Sequence, residues 1–166
     1  MKVRITLIFL SFLVIFSCNQ DDYGFDNLNP ASSLSPPVDK GVDIPAESII
    51  ATVGDVNWIY DSIRIYEVYN KLFLEGSFNG QNSNKITVQL NKNTPVGVYQ
   101  AANSSVSAFF RNINAFFYPV NGTVSILQHD TSLHKVVGRF EFIGEGQIAG
   151  SLYYVSVIDG KFNVSY

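Results

Sequence analysis

The chain has 166 residues, a formal net charge of −3 and a single cysteine. One compact domain is the default at that length, and an intrachain disulfide is excluded. No basic stripe is present to neutralise phosphates, which argues against nucleic acid as a partner.

The chain opens with Lys2 and Arg4, then an apolar run from Ile5 to Phe16, then the small Ser17. Basic residues, an apolar stretch and a small residue in that order are the layout of a secretory signal. The run is short of the roughly 20 apolar residues that a membrane-spanning helix needs. Residues 1–17 are therefore expected to be a signal peptide. Cys18 follows at once, and Ile15-Phe16-Ser17-Cys18 resembles a lipobox, with Phe16 bulkier than the residue usual at that place. A thiol is needed there because sulfur is the nucleophile that takes a diacylglyceryl group. Two or more acyl chains then anchor stably, at about 0.8 kcal/mol per buried CH₂. Asp21 and Asp22 just behind the cysteine resemble the acidic export signal that sends Bacteroidetes-type lipoproteins to the outer face of the outer membrane. The expected location is the outer membrane, lipid-anchored and surface-exposed, with the membrane as partner through Cys18.

Residues 18–47 read as a flexible linker. Pro30, Pro36, Pro37 and Pro45 punctuate it among serines, and it has too few large apolar residues to bury a core. Random-coil scaling gives it a reach of roughly 30 Å.

From Ser48 to Tyr166 the pattern changes to short apolar runs with period-2 alternation, the mark of strands. Ile86, Val88 and Leu90 alternate with Thr87 and Gln89. Val124 and Ile126 alternate with Thr123 and Ser125. Val136, Gly138, Phe140 and Phe142 share one face, opposite Val137, Arg139 and Glu141. Tyr153, Val155 and Val157 share another, and Phe162, Val164 and Tyr166 a last one. Asn79-Gly80, Asn121-Gly122 and Asp159-Gly160 between the runs are hairpin signals, since a type I′ turn needs φ > 0 at both central residues. On this reading Lys161 to Tyr166 folds back to pair with Leu152 to Ile158. Two segments stay open: residues 61–74 suit a short helix or strands, and residues 103–119 suit a strand pair or an irregular apolar connection. The thirteen phenylalanines and nine tyrosines suit many short strands with packed rings. The expectation is an all-β domain, an antiparallel sandwich or barrel.

The chain resembles an uncharacterised family of small Bacteroidetes surface lipoproteins. The resemblance rests on Gly97-Val98-Tyr99, on Gly122 to Ile126, on His129-Asp130, on Val137 to Phe142, and on Val157 to Tyr166. It covers most of the domain from about Ala51 onward. It implies a fold and a location, and it carries no activity.

No catalytic or metal-binding signature stands out, and no cofactor is expected. His129 and His134 flank a segment that reads as a turn between strands, with no further His or Cys to complete a metal shell. Asp55, Glu67, Glu75, Glu141 and Glu145 carry no spacing that marks paired carboxylates, and no Gly-x-Ser-x-Gly elbow appears. Trp58 and Tyr60 are the candidates for stacking on a ligand. Asp61-Ser62-Ile63 resembles an O-glycosylation site of such bacteria, with Ser62 as acceptor. Two classes follow. One is a non-catalytic surface module that binds a glycan, a peptide or an envelope protein. The other is an accessory or structural lipoprotein without a small ligand. Exposed Trp58 and Tyr60 rings favour the first, and buried ones the second.

Overall fold

The computed structural model describes residues 44–60, 62–78 and 83–166. Cys18, Asp21, Asp22, Asp61 and the Asn79-Gly80 pair lie outside them. The described residues form ten strands: β1 (Ser48–Val53), β2 (Val56–Tyr60), β3 (Ser62–Val68), β4 (Lys71–Ser77), β5 (Lys85–Asn91), β6 (Gly97–Gln100), β7 (Val106–Arg111), β8 (Phe116–Asp130), β9 (Lys135–Ile148) and β10 (Ser151–Ser165). They make one antiparallel sheet in the order β2-β1-β10-β9-β8-β7-β5-β4-β3, and β6 pairs with β8. The fold is all-β, and the sheet curls into a nearly closed barrel. Side chains of the end strand β2 meet β4 and β7 across the interior. A Cβ built on Gly76 of β4 would lie 2.8 Å from Tyr60 of β2, and Trp58 of β2 sets its ring against Phe78 and Phe110.

Alternation along each strand sends one set of side chains into the barrel. Ile49, Leu72, Leu74, Ile86, Val88, Leu90, Phe110, Phe117, Phe140, Phe142, Phe162 and Val164 are all buried there. Each such side chain contributes about 1.5–3 kcal/mol relative to exposure.

Residues 61–74 are strands and not a helix. Val68 pairs with Lys71, and the two residues between them, Tyr69 and Asn70, both have positive φ. The helical spacing of Ile65, Tyr69 and Leu72 is a coincidence of two strands joined by a two-residue turn. The stretch 103–119 splits into β7 and the start of β8, whose Phe110 and Phe117 face each other.

Two expected hairpin turns are not turns. Asn121-Gly122 lies inside β8 and Asp159-Gly160 inside β10. In both places the ladder continues past an extra residue, so each is a β-bulge. In β8, Pro119 pairs with Gly144 and Asn121 with Ile143, leaving Val120 as the extra residue. In β10, Val157 pairs with Phe142 and Gly160 with Phe140, so Ile158 and Asp159 stand across from Glu141 alone. The final segment therefore does not fold back on Leu152 to Ile158. It continues β10, which runs between β9 and β1.

The reason is parity. Val155 and Val157 point inward at odd positions, whereas Phe162 and Val164 point inward at even ones. One inserted residue shifts the phase and keeps both sets inside. The bulge in β8 does the same for Phe117 before it and Val124 and Ile126 after it.

Residues 44–47, assigned to the linker from sequence, are fastened to the domain. The Asn163 side-chain amide donates to the Ile44 carbonyl at 2.9 Å, and the Ser165 hydroxyl donates to the Glu47 carboxylate at 2.7 Å.

Candidate functional site

The inward set exhausts most of the rings but not all. On the outer face, Arg111 of β7 pairs with Phe116 of β8, which aligns Phe109 with Tyr118 one step along. Tyr118 pairs with Glu145 of β9, and Glu145 with Tyr154 of β10. Phe109, Tyr118, Glu145 and Tyr154 thus form one row running across four neighbouring strands. At about 4.8 Å per strand spacing the row spans roughly 14 Å from β7 to β10.

Phe109, Phe116 and Tyr118 lie close together, and Phe116 and Tyr118 face solvent. Phe116 is 44% exposed and Tyr118 61%. Their centroids lie 6.2 Å apart with planes 18° from parallel, and Phe109 approaches Tyr118 at 6.4 Å. The Arg111 guanidinium sits 4.7 Å from the Phe116 ring centroid, a cation–π distance. Leu152, beside Tyr154 on the same face, is 54% exposed. Hydrogen-bonding groups interleave with the rings. The Tyr154 hydroxyl donates to Glu145, and that bond, ahead of the nearby charge, raises the phenol above its ordinary pKa. Lys85 and Glu75 form a 2.6 Å ion pair on the β7-side flank.

Why this sequence builds the row is local. In Phe116-Phe117-Tyr118 the middle ring is fully buried while its neighbours face out, as strand alternation demands. The Val120 bulge follows at once, so the outward set resumes beyond it in a new phase, with polar Thr123 and Ser125 on the face away from Val124 and Ile126.

Trp58 and Tyr60 stand on the inward face. Tyr60 is 3% exposed and Trp58 is half-buried, with ring centroids 6.1 Å apart. Burial pushes the Tyr60 hydroxyl far above its ordinary pKa. The Trp58 Nε1 and Tyr60 Oη atoms are buried without a hydrogen-bond partner. These two rings pack against Gly76, Phe78 and Phe110. Ser62 is exposed at the start of β3, across from Ser77.

His129 and His134 frame the β8–β9 turn, and both rings meet Tyr166 edge-on, at 5.9 Å and 5.5 Å. His129 Nδ1 is 2.7 Å from the Thr94 carbonyl and Nε2 is 3.0 Å from the Tyr166 hydroxyl. A carbonyl only accepts, so Nδ1–H donates to it, and in the neutral ring Nε2 accepts from the tyrosine hydroxyl. Among the described residues, no group of three or more His, Cys, Asp or Glu comes together that could hold a metal.

The carboxylates are dispersed. Glu67 is bound to Lys92 at 2.9 Å, Glu75 to Lys85 and Glu145 to Tyr154. Glu141 lies across from Thr123 on the outer face. Its Oε1, Thr123 Oγ1 and Ser125 Oγ are buried without hydrogen-bond partners. Burial first, and the Asp159 charge second, hold the Glu141 carboxyl above its ordinary pKa.

The ring row escapes a sequence reading because Phe109, Phe116 and Tyr118 sit in a stretch dense with apolar residues. The signal that finds it is the alternation Phe116-out, Phe117-in, Tyr118-out. Comparison with protein-family models, curated proteins and solved structures found no match to this chain.

Proposed function

We propose that this protein is a lipid-anchored surface lipoprotein of the outer membrane whose barrel is a non-catalytic binding module. The anchor part of the reading is supported by the order of Lys2, Arg4, the Ile5–Phe16 run, Ser17, Cys18 and the Asp21-Asp22 pair. The binding part is carried by one observation: the outer-face row of Phe109, Tyr118, Glu145 and Tyr154 with Phe116 beside Tyr118, where Phe116 and Tyr118 are substantially exposed. Large aromatic rings left in water cost hydrophobic free energy that burial elsewhere would recover. A contiguous exposed set of them is the usual mark of a contact surface. The structural alternative draws on the burial of Tyr60 and the half-burial of Trp58, which removes the pair first expected to stack on a ligand. The outer row supplies a different surface for the same task.

Replacing Cys18 with Ala tests the anchor. The variant is expected to lose metabolic labelling by a palmitate analogue and to leave the membrane fraction. The same chain with Asp21 and Asp22 both changed to Ala is expected to keep the label and lose accessibility to added protease on intact cells. Membrane retention of the Cys18→Ala chain contradicts the anchor, and undiminished protease access in the double variant contradicts the export role of the acidic pair.

A further inference from the structure

We infer that the outer-face row binds a carbohydrate chain, lying across strands β7, β8, β9 and β10. The inference rests on the binding-module reading above and names its ligand class.

The chemistry of a sugar ring sets two demands at once. One face carries C–H groups and is apolar, and the rim carries hydroxyls that both donate and accept. A matching surface needs flat apolar area beside planar or charged side chains that reach the rim. The row meets both demands strand by strand. Phe116 and Tyr118 offer exposed ring area. Arg111, against Phe116, donates only, and Glu145, between Tyr118 and Tyr154, accepts only. Gln147, exposed on the same face of β9, does both. Sugar hydroxyls are served by such a mixed set, and charge-assisted hydrogen bonds are the stronger kind.

The same composition argues against other occupants. Aromatic rings and Arg are common in the core of a protein–protein interface but Glu is depleted there, and here Glu145 stands in the middle of the row, between Tyr118 and Tyr154. A nucleic-acid strand would also stack on rings, but it needs a cationic track. The cations here are few, Lys85 is committed to Glu75, and the chain is net negative. The length also fits. The roughly 14 Å from Phe109 to Tyr154 suits an extended chain of a few sugar units better than a single one.

The test uses the lipidated chain purified from membranes and reconstituted in phospholipid nanodiscs. Four probes are titrated by bio-layer interferometry: a neutral β-glucan, a mannan, an arabinoxylan and a polygalacturonate. Saturable binding to at least one is expected. Phe116→Ala and Tyr118→Ala are each expected to weaken it tenfold or more. Leu133→Ala removes an exposed apolar side chain in the distant β8–β9 turn and is expected to change binding by less than twofold. Circular dichroism melts of the ring variants should stay close to the parent, since neither ring belongs to the buried core. Binding to none of the four probes, or binding indifferent to both ring variants, overturns the inference. A benzophenone photo-crosslinker at position 118 separates the two levels. If no polysaccharide binds but the crosslinker captures an envelope protein, and Phe116→Ala abolishes that capture, the carbohydrate assignment falls and the binding-module reading stands. If neither occurs, both fall.

Discussion

A Cβ built on Gly160 would lie 2.4 Å from the ring of Phe140 and equally close to the Phe140 carbonyl oxygen. Gly160 and Phe140 are cross-strand partners just past the β10 bulge, and Asp159 before it has φ of 52°. The Asp-Gly pair is needed to insert one residue and still let the strands close over Phe140. Gly160→Ala is expected to destabilise the domain by about 1–3 kcal/mol through overpacking. Urea denaturation checks it, and an unchanged midpoint would show that the bulge tolerates a side chain.

The continuity of β10 changes what its end is worth. Lys161 to Ser165 pairs with β9 along its length, and Lys161 to Asn163 pairs with the start of β1 on the other side. Phe162 and Val164 are fully buried, worth about 1.5–3 kcal/mol each against a typical total of about 5–15 kcal/mol. Removing residues 161–166 also strips both neighbours of ladder partners. The truncated chain is expected to be insoluble or to melt far below the parent, whereas deleting residues 21–43 is expected to leave the melting temperature almost unchanged. A 161–166 truncation that melts like the parent contradicts the register described.

Glu141 gives a pH test. Its folded pKa is raised, by burial first and by Asp159 second. A carboxyl raised in this way favours folding while protonated. That contribution is complete below the unfolded value, about 4.3, and is lost as pH rises through the raised folded value. Glu141→Gln is expected to match the parent near pH 4 and to be the more stable of the two at pH 7. Parallel denaturation curves at both pH values decide it, and a neutral-pH loss of stability in the variant contradicts the sign.

His129 bridges the β5–β6 connection, through the Thr94 carbonyl, and the end of the chain, through Tyr166. A net hydrogen bond contributes about 0.5–1.5 kcal/mol. His129→Ala is therefore expected to cost about 1–3 kcal/mol, and Tyr166→Phe less, with the two losses less than additive in a double-mutant cycle. Full additivity would show that the two side chains act independently.

The strands were readable because inward residues recur at every second position, as in Ile86, Val88 and Leu90. The bulges look like turns in the sequence for a physical reason. Asn-Gly and Asp-Gly signal tolerance of positive φ, which tight turns and bulges share. What separates them here is the change of parity between Val157 and Phe162, visible in the sequence once a continuous strand is assumed. The turn at Tyr69-Asn70 gave no such signal, because tyrosine at positive φ is uncommon. Trp58 and Tyr60 drew attention by residue type, yet which face of β2 they occupy is fixed by pairing with β1, where Tyr60 lies opposite Ile49 and Trp58 opposite Ala51. The ring row depends on four strands coming into register. Only Phe116 and Tyr118, two apart on one strand, are adjacent in any sense the sequence displays.

The central claim is that the Tyr118 face of a surface-anchored barrel is presented to the outside of the cell. The most direct measurement is labelling of a Tyr118→Cys chain on intact cells with a membrane-impermeant maleimide. The chain has one native cysteine, and lipidation at Cys18 would leave Cys at position 118 as the single free thiol. The expected result is labelling of intact cells equal to that of lysed cells, with none on the parent chain. Labelling that appears only after lysis would contradict the account.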